Sequence, residues 1–424
     1  MVAFKSTISA ALLVAAAFQQ AFADDSCTAS AFNITAQGHL DNIASCTKLT
    51  GDLYIKDIDN DGISTLTANG IESVDGDVVV SGDAYLTSMV FPSLKNVTGT
   101  FSVNNMIRLS TLSAPVLTKV AGLNLAVLPN LQELQFNAVI NQADSVTIDD
   151  TDLQTIQGIN LDEVDSFTVT NNRYIQDITM ADLVKANTIK ISANAKGVNV
   201  NFGKLSTVGT ATFSTVGSVF VGNLKNASGS LGFSNTTLAN VSLPYLTEVD
   251  QSLYFMYSES LTNLSFPNLT TVGGSLVIND TGLTKVSGFS KLTEIGGSLD
   301  IYGNFSSVEF PVLSDIKGSL DVQTKATNFT CPFSESGSVV KGNGFTCKGT
   351  VSSISYSSLS SLLASATSVK SSGSATATAT ATAEASTSLS SQSSTSVASG
   401  AASTKAVSVG IVAAFSMAVF ALFL

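Results

Sequence analysis

Apolar residues recur along most of this chain with two spacings. Leu276 and Ile278 stand two apart, as residues on one side of a strand do. Around them the spacing is three: Leu283, Val286, Phe289, Leu292 and Ile295. That is too short and irregular for a long amphipathic helix, which repeats every 3.6 residues. Short strands joined by tight turns, each directing an apolar residue inward, satisfy both spacings.

The pattern is itself repeated. The clearest copies are Phe266-Pro-Asn-Leu-Thr-Thr-Val-Gly-Gly-Ser-Leu-Val-Ile278, Phe289-Ser-Lys-Leu-Thr-Glu-Ile-Gly-Gly-Ser-Leu-Asp-Ile301 and Phe310-Pro-Val-Leu-Ser-Asp-Ile-Lys-Gly-Ser-Leu-Asp-Val322. Looser copies begin at Phe91 and Leu243. Aligned strand positions are Leu53, Val78, Phe101, Leu123, Val146, Phe167, Ile189, Ala211, Leu231, Leu253, Leu276, Leu299 and Leu320. These are 13 units over 267 residues, a mean period of 267/12, about 22. Ala211 is the weakest, because Val219-Phe220-Val221 competes with it.

One such unit has an apolar inner side and nothing to cover it; stacking provides the cover. The predicted fold is an all-β parallel β-helix (solenoid), a rod on the order of 60 Å long. Gly273-Gly274, Gly296-Gly297 and Gly318 mark the corner before a strand, where positive φ or close backbone approach favours glycine. Asn104, Asp149, Asn171, Asn235, Asn279 and Asn304 follow strands, where they can turn left-handed or bond the next turn's backbone. Cys27 and Cys46 precede the first unit; Cys331 and Cys347 follow the last. Four cysteines allow three connectivities. Separation of the two pairs by the whole stack favours Cys27–Cys46 and Cys331–Cys347, a staple at each end where a sheet would otherwise stay open.

Composition narrows the function. The chain has 424 residues and a formal net charge of -12, and charged residues are only 12% of it. Arg108 and Arg173 are its only arginines, so no basic face offers itself to nucleic acid. No tryptophan is present to stack on sugar, and His39 is the only imidazole.

The ends read as addresses. Residues 1–23 match a secretory signal: Lys5, an apolar Ile8 to Phe18 and Ala21-Phe22-Ala23 before a mature start at Asp24. Residues 24–349 are the solenoid domain. Residues 350–400 are a Ser/Thr-rich stalk. From Val351 to Gly400, 27 of 50 residues are Ser or Thr, and Lys370 and Glu384 are the only charges. Such a segment buries too little apolar surface to fold, and its hydroxyls suit O-glycosylation. Residues 401–424 read as a GPI-attachment propeptide, with the apolar run 406–424 behind Ser399-Gly400-Ala401-Ala402. Gly400 is the expected attachment residue, with Ser399 and Ala401 as neighbours in the same small-residue window.

Ten Asn-x-Ser/Thr sequons are present: Asn33, Asn96, Asn226, Asn235, Asn240, Asn263, Asn268, Asn279, Asn304 and Asn328. Secretion and surface turns predict N-glycans on most of them. Asp57-Ile-Asp59-Asn-Asp61-Gly62 imitates the start of a calcium loop, but its twelfth position is Ala68 instead of a bidentate Glu, so a solvated acidic turn is the better reading. Carboxylates are the only plausible catalytic groups. Asp300 and Asp321 occupy equivalent positions one turn apart, and Glu248 and Glu294 are matched alike. A glycosidase pair needs two carboxyls about 5–9 Å apart, but repeat-equivalent acids are more simply an exposed ladder. No cofactor, no metal and no enzyme is expected. Tyr54, Tyr85, Tyr254, Tyr257 and Tyr302 are read as exposed strand-face or cap residues able to stack on glucan rings.

The units resemble leucine-rich repeats and, more closely, the receptor L domain, a right-handed β-helix of about 22-residue turns with cystine caps. Together, the signal, the N-terminal Cys pair, the Gly-Ser-Leu-x-Ile turns, Asn171-Asn172-Arg173-Tyr174, Phe345-Thr346-Cys347, the Ser/Thr stalk and the terminal tail are similar to fungal GPI-anchored cell-wall organisation proteins of the sporulation-specific/extracellular-mutant type. That resemblance implies a role in wall integrity without catalytic activity. The implied location is the outer side of the plasma membrane and the wall. The implied partners are wall glucan or mannoprotein and the membrane through a GPI lipid, with no nucleic acid. A structural or presenting scaffold is the expected function; a receptor-like binding module for wall polysaccharide or a surface protein partner is the alternative, ahead of a polysaccharide-active enzyme.

Overall fold

The computed structural model describes residues 25–58, 64–82, 85–334 and 339–353. The signal, Gly400 and its tail, and the stalk beyond residue 353 lie outside them. Among the described residues the strands pair in parallel, coil upon coil. The second face of the coil carries all thirteen aligned positions in register, from Leu53↔Val78 through Ile189↔Ala211↔Leu231 to Leu299↔Leu320. Ala211 holds its place there, and Val219 and Phe220 belong to another face. Every one of the thirteen is at most 1% exposed. Burying a leucine so completely contributes about 2 kcal/mol, and each is covered by its neighbours above and below.

Two more faces complete a turn. On the first, Glu248–Val249, Thr271–Val272, Glu294–Ile295 and Asp315–Ile316 stack. On the third, Asp177–Thr179, Val198–Asn201 and Val216–Phe220 form one ladder. Asn240–Ser242 and Asn263–Ser265 form another. Phenylalanines fill the interior in columns: Phe213, Phe233 and Phe255 at 5.5 Å steps, and Phe266, Phe289 and Phe310 at 5.2 and 5.4 Å.

The corners explain the Gly-Ser-Leu motif. Gly273 and Gly296 do not have positive φ there. A β-carbon on Gly296 would lie 2.2 Å from the Gly273 carbonyl oxygen, and one on Gly273 would lie 2.1 Å from that of Asp250. Close stacking of backbone is what requires glycine. The serine beside it bonds along the stack: the amides of Ser275 and Ser298 donate to the hydroxyls of Ser252 and Ser275, at 3.1 and 3.0 Å. In the first turns Asp52 and Asp77 serve instead, accepting from the amides of Asp77 and Thr100.

At the far corner the chain turns left-handed in coil after coil. Asn171 and Asn235 do this as expected, with φ of 59° and 50°. Three expectations are displaced by one residue: Asn105, Asp150 and Asp280 carry the positive φ, while Asn104, Asp149 and Asn279 before them still pair in the strand. Asn304 does not turn left-handed.

Both disulfides form as expected, Cys27–Cys46 and Cys331–Cys347. The caps also extend the sheet itself. Thr28–Ile34 adds a strand beside Leu53, and Phe345–Lys348, which contains Cys347, adds one beside Leu320.

Candidate functional site

Among the described residues, the candidate features lie on the outer surface of the coil. The sequons are distributed over it unevenly. Asn33, Asn226, Asn235, Asn240, Asn263, Asn304 and Asn328 are exposed. Asn240 and Asn263 stand side by side in register on the third face. Asn96 and Asn268 are half-buried, and the Asn268 amide donates to the Pro244 carbonyl at 2.8 Å. Asn279 departs from expectation: it is 1% exposed, between Met256 and Tyr302 in the sheet, which leaves no room for a glycan on the folded coil. No sequon lies between Asn96 and Asn226.

That gap coincides with a fault in the third face. Its ladder of strands stops at Leu134–Gln135 and resumes at Asp177–Thr179. The turn between contributes an isolated bridge from Thr155 to Asp177. Gly158 lies 22 residues after Phe136 and 22 before Met180, both buried, so a glycine occupies the coil position of a large inward side chain. Its φ of +100° sets it apart from its neighbours in that column. A cleft of about 350 Å³ opens here, with Val139, Ile156 and Ile159 in its wall and Thr155, Gln157 and Asp177 at its rim.

Beyond the cleft the outward side chains are polar and tied to one another. Asn199 donates from Nδ2 to Asp177 at 3.1 Å, and Ser218 donates to Asn199 at 2.8 Å. Asn160 and Lys204 both donate to Asp182, each at 2.6 Å. The Lys204 hydrogen bond, followed by that from Asn160, holds the Asp182 carboxyl below its ordinary range, and the same contact raises the Lys204 ammonium. At the end of this strip stands Phe220, 59% exposed. A β-carbon on Gly203 would meet its ring at 3.1 Å and one on Gly222 at 3.3 Å. The ring therefore lies down against glycine backbone.

The carboxylate pairs do not form a cleft. Asp300 and Asp321 are in register, as expected, but both are buried rather than exposed. Asp321 accepts from the Tyr302 hydroxyl at 2.9 Å and from the Gln323 amide at 2.8 Å. Glu248 and Glu294 are two turns apart with Thr271 between them, and Glu294 is paired with Lys317. Two of the five tyrosines are also not exposed. Tyr302 is 1% exposed, and Tyr254, at 8%, lies over Gly232 with its hydroxyl 3.2 Å from that of Thr212. Burial raises the Tyr254 phenol. Tyr85 and Tyr257 are exposed and Tyr54 is half-buried. His39 sits exposed in the short helix Gln37–Asn42, its Nδ1 accepting from the Thr35 amide at 3.3 Å. Residues 59–63 of the acidic turn lie outside the described residues. Among the described residues no three His, Cys, Asp or Glu gather as metal ligands would.

Sequence reading missed the cleft and the strip ending at Phe220. The available signal was Gly158 standing at the 22-residue spacing between Phe136 and Met180.

A parallel solenoid with a cystine at each end and seven exposed sequons defines a class: disulfide-stapled extracellular repeat proteins. The chain is 64% identical over 355 residues to the cell wall protein ecm33 of Schizosaccharomyces pombe, covering 84% of each chain. It is 34% identical to the protein ecm33 of Aspergillus fumigatus, over 72% of this chain and 75% of that one. It is 30% identical to a cell surface GPI-anchored protein of Arthroderma benhamiae, over 73% and 79%. It belongs to the Ecm33 family of fungal cell-wall and cell-surface proteins. No protein-family model matches it, and no solved structure does. None of these three relatives is named as an enzyme.

Proposed function

We propose that this chain is a GPI-anchored surface glycoprotein required for fungal cell-wall organisation and integrity, acting as a non-enzymatic scaffold that presents a rigid coil to the wall. The observation that carries this reading is the continuity of the stack. Thirteen inward positions in register, with hydroxyl and backbone ladders along the corners, make a stiff body with large lateral faces. N-glycans on the sequons that reach solvent, O-glycans on residues 350–400 and a lipid at Gly400 would bring that body to the wall and hold it there. Its partners on this reading are wall glucan or mannoprotein, and the membrane through the lipid.

The test uses a strain lacking the chain. Its wall should become sensitive to glucanase digestion and to wall-binding dyes. The full chain should restore resistance, and a form ending before residue 401 should not. Restoration by the untethered form would refute a scaffold that acts from its anchor. Release of the wild-type protein by glucanase but not by phospholipase would place its final linkage on glucan.

A second reading, a receptor-like binding module for wall polysaccharide, is favoured by one observation. The sequon-free stretch coincides with the cleft and with the exposed Phe220.

A further inference from the structure

We propose that the outward strip of the third face from Gln157 to Phe220 binds a neutral, β-linked polymer of glucose or N-acetylglucosamine. This rests on the binding-module reading and gives it a site and a ligand class. The strip lies wholly within residues 97–225, which hold no sequon, while the next third-face strand begins with the sequon Asn240. A glycan at Asn240 would therefore border the strip at its Phe220 end and leave the strip itself open.

Its chemistry selects the ligand. Thr155, Asp177, Asn199 and Ser218 form one outward column, linked by the bridge and the register of successive strands. Thr179, Asn201 and Phe220 continue a second column that starts at Gln157. Amides and hydroxyls both donate and accept, as sugar hydroxyls require. Charge is nearly absent: Asp177 already accepts from Asn199, and the neighbouring Asp182 is satisfied by Lys204 and Asn160. A phosphorylated or acidic polymer finds no free cation in either column, so complementarity points to a neutral one.

Phe220 supplies the stacking surface that the absence of tryptophan had seemed to remove. With its ring resting on the Gly203 and Gly222 side and 59% of the residue exposed, one π face is open. A β-linked glucose-type ring carries its substituents equatorially, so its flat C–H faces can lie on an aromatic ring. The axial hydroxyl of mannose obstructs one such face. Three turns at ~4.8 Å span about 14 Å from Gln157 to Phe220, the reach of a short oligosaccharide. The apolar cleft wall at Val139, Ile156 and Ile159 receives its other end.

The experiment titrates the full-length glycoprotein, extracted in detergent, with laminarihexaose, chitohexaose and an α-linked mannohexaose in a calorimeter. One or both β-linked hexamers should bind and the mannohexaose should not. Phe220→Ala should weaken binding about tenfold, with Gln157→Ala as an independent exposed-site variant expected to weaken it too. Asp177→Asn turns positions 177–179 into a sequon on the strip and should abolish binding once mass spectrometry shows it glycosylated. Ser166→Asn makes a sequon with Phe167 and Thr168 on the second face and should leave binding unchanged. Unchanged melting temperatures establish that the variants fold. If a β-linked hexamer binds but Phe220→Ala and Gln157→Ala leave its affinity intact, the strip is refuted while the binding-module reading stands. Binding of none of the hexamers overturns both, and preference for mannohexaose overturns the ligand class.

Discussion

Val127 adopts φ of 54° at a corner where its counterparts in other coils include Asn105, Asp150 and Asn171. A β-branched residue meets steric conflict in that region, costing roughly 1–2 kcal/mol, which Asn or Gly largely escapes. Val127 is 38% exposed, so replacing it gives up little packing. Val127→Asn should therefore stabilise the coil by about 1 kcal/mol, read as a higher denaturant midpoint with unchanged slope. An unchanged or lowered midpoint would show that the neighbouring coils, and not the residue, set the strain. The same corner shows how far sequence can be read. Asn104-Asn105, Asp149-Asp150 and Asn279-Asp280 each offer two side chains that tolerate the left-handed region. The choice falls on the second because the first still pairs in the strand, as Asn104 does with Ala126. Val127, Thr215 and Tyr257 adopt the same conformation with no local sign at all, since stacking between coils dictates it.

At the level of the strand and its corner, the hydroxyl ladder does what the apolar column cannot. Stacked leucines hold coils together without direction, whereas the Ser275 hydroxyl, accepting from the Ser298 amide at 3.0 Å, fixes one coil's register on the next. Ser275→Ala leaves that amide without its acceptor and should cost about 1 kcal/mol, with faster amide exchange at Ser298 and its neighbours. Equal exchange in the variant would mean that the corner is held by the glycine stack alone. The strands themselves were legible because inward residues recur at a fixed period, and even Ala211 keeps its register against Ile189 and Leu231. The cap strands Thr28–Ile34 and Phe345–Lys348 were not, because each lacks the Gly-Ser-Leu-x-Ile motif and has one neighbouring coil instead of two. The cleft was barely so: Gly158 is one glycine among 31, and only its spacing of 22 residues from Phe136 and from Met180 sets it apart.

Across the whole coil, stability is a sum of contacts between successive turns, so the ends are where it is weakest. An interior turn is covered on both sides, whereas the last strand, Phe345–Lys348, pairs only with Leu320–Thr324 and is half-buried or exposed throughout. The Cys331–Cys347 disulfide ties that strand back across a separation of 16 residues, and closing a loop of this size contributes about 3 kcal/mol. Opening it with the double substitution Cys331→Ser and Cys347→Ser should therefore unravel the stack locally from that end. Hydrogen exchange measured on the full glycoprotein should show protection lost first in 345–348, then in Leu320–Thr324, while the coils around Val146 and Phe167 keep theirs. Because the proposed sugar-binding strip lies many turns away, its affinity should be unaffected by the open cap. Uniform loss of protection along the chain would instead mean that the coil folds as one cooperative unit. In that case the C-terminal cystine would govern the entire surface and not merely its last turn.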